Sequence, residues 1–221
     1  VQYNGGPLSD YWLVCGVRLD GRLVLDSSVI YRHSPCVCVY IIGIFHVSNQ
    51  GVMVSLEEAV EAAWTLVDGS GTDTHMVIGL GSGRTIIPFI QAIKHRPHLS
   101  RCVFIPTSMQ AAQLLDSLQL RRSDLNAHPR VTVCVDGCDA FDGNMDMVKG
   151  GGGCMLQEKM VAEAADVLII LASDDKCTAE LISKRVPVEV HPFAVQSVIN
   201  KIRSVYKDCE IMVREGGGKL G

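Results

Sequence analysis

From about residue 55 onward, apolar residues recur in two alternating rhythms. Val60, Ala63, Trp64 and Val67 stand at i, i+3, i+4 and i+7, which predicts a helix with one apolar stripe. Ser55 is placed to cap that helix. Glu57 and Glu58 lie in its first turn, where the positive end of the helix dipole favours them. A Gly/Ser/Thr/Asp loop follows, and the apolar run 76–80 predicts a strand that leads into a Gly-rich turn at 79–83. The next helix begins near Thr85; Pro88 is tolerated there because first-turn N–H groups have no intrahelical partner. The rhythm then repeats, with strands at 103–105, 131–135 and 167–172. Ala111, Leu114, Leu115 and Leu118 mark one intervening helix, and the stretch from Met155 marks another. Continuous apolar strands separated by helices predict an α/β fold, a parallel sheet covered by helices on both faces. Further on, 187–190 reads as a strand, Val195, Val198, Ile199 and Ile202 as a helix stripe, and 210–213 as a last strand.

Residues 1–52 show no sustained period. They hold three Arg and three Asp of the chain's 20 basic and 24 acidic residues, so they are half as charged as the rest. Their apolar run from Cys36 to Val47 is 12 residues long, short of the ~20 that cross a bilayer, and no membrane partner is expected. It reads either as a strand or as an unstructured lead-in. The chain starts with Val, and one reading makes Met53 the natural start. Overall, 48% hydrophobic residues with 20% charged ones supply a core and exclude wholesale disorder. A net charge of −4 argues against a nucleic-acid partner. Nine Cys, an odd number without regular spacing, suggest reduced thiols in a cytoplasmic setting rather than a disulfide scaffold. No His or Cys spacing matches a metal site.

Four segments have the chemistry of a site. The turn Gly79–Thr85 lies between a strand and a helix, where close-approaching Gly backbone and helix N–H groups favour an anion. Ser82 and Thr85 add hydroxyls, but the turn matches neither a Walker A motif nor a full dinucleotide fingerprint, since position 84 is Arg. A tight structural turn is the plainer alternative. Second, Asp136-Gly137-Cys138-Asp139 follows a strand, at the carboxyl end where open α/β sheets bind ligands. The two acids would hold sugar hydroxyls, handle protons or bind a metal, or merely cap a turn. Third, Lys149 precedes Gly150, Gly151, Gly152 and Gly153, and Glu158 follows at the start of a helix. Four consecutive Gly are costly in backbone entropy, which favours a ligand loop over a passive one. A Lys there can stabilise an oxyanion and a Glu can move a carbon-bound proton. Fourth, Lys176 ends another strand and can reach a phosphate, or lie solvated on the surface.

Together these segments closely resemble the ribose-5-phosphate isomerase A family. The resemblance runs from about Ser55 to the C-terminus and rests on GLGSGRT at 79–85, VDGCDAFDGNMDMVKGGGG at 135–153, LQEKM at 156–160, SDDK at 173–176 and PVEVHPFA at 187–194. It implies interconversion of ribose 5-phosphate and ribulose 5-phosphate, with no cofactor, neither metal nor nucleotide. By resemblance, Ser82, Gly83, Arg84 and Thr85 form the phosphate loop, and Asp136, Gly137, Cys138 and Asp139 the sugar-hydroxyl and ring-opening segment. Lys149, Gly150, Gly151 and Gly152 stabilise the enediolate, Glu158 is the proton acceptor and Lys176 meets the phosphate. The fold implied is Rossmann-like, isomerase/CoA-transferase-like, with the start of a smaller α+β lid subdomain, in a homodimer or tetramer. The expected division is a lead-in over 1–52, a catalytic domain over 53–185 and an incomplete subdomain over 186–221, because the family's chain continues past Gly221. Arg84 replaces a small hydroxyl residue of the family, Ala140 an acidic one, and Glu57 aligns near a Lys. Two other readings compete: a sugar-phosphate-binding module without catalysis, and a dinucleotide-binding protein, which Arg84 and the Lys149–Glu158 unit disfavour.

Overall fold

The apolar runs pair into a single parallel sheet in the computed structural model, which describes residues 15–16, 38–44, 56–69, 75–142, 146–179, 181 and 184–214. The elements begin with β1 (Cys15–Gly16), β2 (Cys38–Ile44), α1 (Leu56–Gly69), β3 (Val77–Leu80) and α2 (Ile86–Gln91). Next come β4 (Val103–Pro106), α3 (Met109–Ser117), β5 (Val131–Gly137), β6 (Ala140–Phe141) and β7 (Met147–Val148). The last are α4 (Met155–Glu163), β8 (Ala165–Ser173) and α5 (Val195–Val205). The sheet runs β1-β2-β8-β5-β3-β4, with every pairing parallel. The Cys36–Val47 run supplies β2, which pairs with β8 over seven residues from Cys38–Val167 to Ile44–Ser173. The predicted cap Ser55 and the loop at 70–74 lie outside the described residues.

Side chains of β3, β5 and β8 are shared between two cores, as the pleat requires. Ile169 and Leu171 of β8 join Ile78, Leu80, Val133 and Val135 under α1, α2 and α3. Leu168, Ile170 and Ala172 join Cys134 under Val161 and Ala162 of α4. The predicted stripe of α1 is wholly buried, and Trp64 stacks on Phe89 with ring centroids 4.1 Å apart. Arg96 lies over the other part of this pair, 4.9 Å from the Trp64 ring centre.

Two expected strands do not form. Residues 187–190 and 210–213 have no ladder partner among the described residues and run as irregular chain. A period-2 pattern needs a neighbouring strand to become one, whereas α5 closes its own hydrogen bonds and forms without one. α5 buries none of its side chains fully, and Phe193, Val205, Tyr206, Met212 and Val213 are exposed.

The strand order sets the position of the site. From β3 the chain passes to β4 on one side, then returns to β5 on the other. The carboxyl ends of β3 and β5 therefore flank the point where the order reverses, the place where open α/β sheets form a crevice.

Candidate functional site

At this reversal point, the turn after β3 meets the end of β5. Gly81 N–H donates to the Val135 carbonyl at 2.8 Å, which draws the turn across the neighbouring strand. Gly81 itself has no room for a side chain: a Cβ there would lie 1.9 Å from Asp136 Oδ1. Gly83 sits at φ 97°, a region that disfavours any other residue. Its carbonyl accepts from Ile86 and Ile87 N–H at 3.1 and 3.2 Å and so closes the first turn of α2.

Asp136, Lys149 and Glu158 converge here from three elements. Asp136 is near the end of β5, Lys149 follows β7, and Glu158 lies in the first turn of α4. The short antiparallel pair β6–β7 folds the chain back, and Asp139 N–H donates to the Val148 carbonyl at 2.8 Å. That return puts Lys149 Nζ 2.9 Å from Asp136 Oδ2 and 3.6 Å from Glu158 Oε2. The ammonium also donates to the Gly137 carbonyl. Ser82 Oγ donates to Glu158 Oε1 at 3.0 Å, tying the turn after β3 to α4. The side chains of Asp136 and Glu158 are only 2% and 7% exposed, so the two carboxylates and one ammonium form a nearly dry cluster.

Electrostatics follow from this packing. Burial pushes the Glu158 carboxyl above its ordinary value, Asp136 adds to the rise, and Lys149 and the Ser82 hydroxyl partly oppose it. Burial works against the Lys149 ammonium, but Asp136 and Glu158 outweigh it and hold the group protonated beyond the usual lysine range. The Cys138 thiol is pushed up to about 11 by burial, with Lys149 and Lys176 pulling the other way, so it stays protonated and is no nucleophile.

Asp139 Oδ2 accepts from Gly151 N–H at 2.7 Å, which binds the Gly150–Gly152 loop to the Asp136–Asp139 segment. Lys176 closes a short 3-10 turn after β8. Arg84 is exposed, and Thr85 begins α2 without its side chain capping the helix. Within the turn, Gly81 and Gly83 N–H are bonded to the Val135 carbonyl and to Gln110 Oε1.

Three residues that the sequence did not mark as site residues touch this machinery. Gln110 accepts from Gly83 at 3.1 Å. Glu189 Oε2 accepts from Leu156 N–H at 2.7 Å, at the start of the helix that carries Glu158. Arg214 Nη1 donates to the Gly151 carbonyl at 2.9 Å. None of the three carries a local signal, because each acts on an element distant in the chain. Among the described residues no group of three or more His, Cys, Asp or Glu is arranged to hold a metal ion, and no helix is long and apolar enough to cross a membrane.

Comparison with known proteins points one way. Residues 103–221, over half of the chain, match the model of the family ribose 5-phosphate isomerase A (phosphoriboisomerase A). The ribose-5-phosphate isomerase of Schizosaccharomyces pombe is 37% identical over 139 residues, 62% of this chain and 51% of that protein. A solved D-ribose-5-phosphate isomerase in complex with phospho-erythronic acid superposes with a TM-score of 0.59 at 32% identity, covering 70% of this chain and 68% of that one. The ribose 5-phosphate isomerase of Plasmodium falciparum gives a TM-score of 0.63 at 28% identity over 72% of this chain and 70% of its own. The chain spans about half the length of the sequence relatives it matches.

Proposed function

The chain belongs to the ribose 5-phosphate isomerase A family, and from that premise we propose that it interconverts D-ribose 5-phosphate and D-ribulose 5-phosphate. The observation that carries this reading is the linked set Ser82–Glu158–Lys149–Asp136, at 3.0, 3.6 and 2.9 Å. It pairs a carboxylate base with a fixed cation, the two groups that enolisation of a sugar requires.

In the open-chain aldose, the proton on C2 is acidified by the C1 carbonyl. Glu158 takes that proton, and the electrons of the broken C–H bond form the C1–C2 double bond as the carbonyl oxygen becomes negative. Lys149 stabilises the resulting enediolate. A proton passes from O2 to O1, Glu158 returns its proton to C1, and the carbonyl re-forms at C2. Burial serves this cycle, because a carboxylate raised above its ordinary pKa is a stronger base. Ser82 aims Glu158, and Asp136 holds Lys149 in place. Asp136 and Asp139 take the sugar hydroxyls and assist ring opening, with Cys138 and Gly137 forming the wall between them. Gly150, Gly151 and Gly152 wrap the reacting end. Ser82, Gly83, Arg84, Thr85 and Lys176 receive the phosphate. The similar isomerase solved with phospho-erythronic acid supports a phosphorylated sugar chain as the ligand. The working form in this reading is a homo-oligomer, a dimer or tetramer, which the exposed apolar side chains of the C-terminal segment favour.

The test uses the 221-residue chain in EDTA, with both pentose phosphates followed by NMR in deuterated water. Turnover should carry deuterium into C1 of the ketose, and Glu158→Gln should lower kcat by about 10²–10⁴-fold, the usual worth of a positioned base. A Glu158→Gln protein with full activity rules the mechanism out.

A further inference from the structure

Gln110 is the second residue of α3, whose start is fixed by Ser108 Oγ accepting from Ala111 N–H at 3.1 Å. Its side chain reaches out of that helix to the turn after β3, 27 residues earlier in the chain, where Gly83 N–H donates to Oε1 at 3.1 Å. The assignment of the amide oxygen is forced, since a backbone N–H requires an acceptor. A shallow groove between α2 and α3, lined by Ser82, Gly83, Ile87, Gln110 and Leu114, runs alongside this bond.

The bond matters because of what Gly83 does. The Gly83 peptide unit sits in a left-handed conformation, and its carbonyl already closes the first turn of α2 through Ile86 and Ile87. Gln110 holds the other side of the same residue. Without it, Gly83 N–H would have only solvent, and the turn would be free to rotate about a residue with no side-chain restraint. Ser82, whose hydroxyl aims Glu158, precedes Gly83 directly, and Arg84 and Thr85 follow it. One carboxamide therefore ties down the backbone from which the side chains that the phosphate reading assigns to this turn project.

We infer that Gln110 is a positioning residue for the anion end of the substrate: it presets the turn 82–85 through Gly83 and so sets substrate affinity. This rests on the sugar-phosphate reading above. The chemical step lies on Glu158 and Lys149, which keep anchors independent of Gly83: Ser82 Oγ on Glu158, and Asp136 and the Gly137 carbonyl on Lys149; the larger effect therefore falls on affinity and not on turnover.

The experiment compares the wild-type chain with Gln110→Ala and with Gln110→Met, which keeps the length and apolar stem of the side chain but has no acceptor for an N–H of this kind. Both variants should raise KM for ribose 5-phosphate about tenfold, the usual worth of one to two hydrogen-bond equivalents of ordering, and leave kcat within about twofold. Binding of inorganic phosphate, measured by calorimetry, should weaken by the same factor, while isomerisation of unphosphorylated ribose should be unchanged. Unchanged KM and phosphate affinity in both variants overturn the inference, as does an equal loss on ribose and ribose 5-phosphate. A Gln110→Met protein that behaves as wild type while Gln110→Ala fails also overturns it, because packing alone then explains the effect. If the wild-type chain binds phosphate but turns over neither sugar, the isomerase reading fails and the calorimetric comparison still decides the role of Gln110.

Discussion

Asp136 acts on both of its charged neighbours, and the two actions can be separated by pH. Burial is the largest influence raising the Glu158 carboxyl, and Asp136 is the next. Glu158 must be ionised to accept a proton, so kcat/KM rises with pH through a value above the ordinary glutamate pKa of about 4.3. Asp136→Asn removes one of the two raising influences while burial and Lys149 remain. The acid limb should therefore move to lower pH, even as the rate falls through the weaker hold on Lys149. A pH–rate titration of the variant checks this, and an acid limb that moves upward contradicts the assignment. At this scale the sequence was informative where chemistry and position coincided. Asp136 stands at a strand end and Lys149 beside a Gly run, and their residue types alone suggested charge handling. Gln110 carried no such mark, because its role depends on a turn 27 residues away.

The turn after β3 binds the elements to one another. Gly81 touches Asp136 so closely that any side chain would displace the carboxylate. Gly81→Ala should cost about 1–3 kcal/mol in stability, the usual price of overpacking a dense site. It should lower kcat much more than the change in stability implies, since Asp136 would swing away from Lys149. Denaturant unfolding and steady-state kinetics on the same sample check both, and an alanine variant with wild-type kcat refutes the contact. The strands and helices of the sheet were legible because their periods are local: the stripe Val60–Val67 and the run 168–172 are each buried as their spacing implies, with Val167 half-buried beside them. What local period does not contain is a partner. The run Cys36–Val47 was equally compatible with a strand and a lead-in until its register with β8 appeared. Residues 187–190 have a strand-like pattern and no neighbour to pair with.

Across the whole molecule, two aliphatic cores clamp the sheet while the C-terminal segment lies outside both. That segment reaches the crevice at two points, through Glu189 at the start of α4 and Arg214 at Gly151. Elsewhere it exposes Phe193, which is 94% accessible, together with Val205, Tyr206, Met212 and Val213. Apolar side chains in such number on one segment favour burial against another copy. Light scattering on the chain should give a mass of at least twice 24.0 kDa, and a monomer at micromolar concentration would refute that assembly. In the proposed reaction the buried cluster keeps its total charge. Before reaction it holds two negative charges and one positive one. When Glu158 takes up its proton, one negative charge leaves the carboxylate and reappears on the enediolate oxygens facing the same ammonium. The total within the crevice does not change, and the surrounding dipoles have little to reorganise: the charge is handed across Lys149, which serves as a stationary pivot for both halves of the reaction.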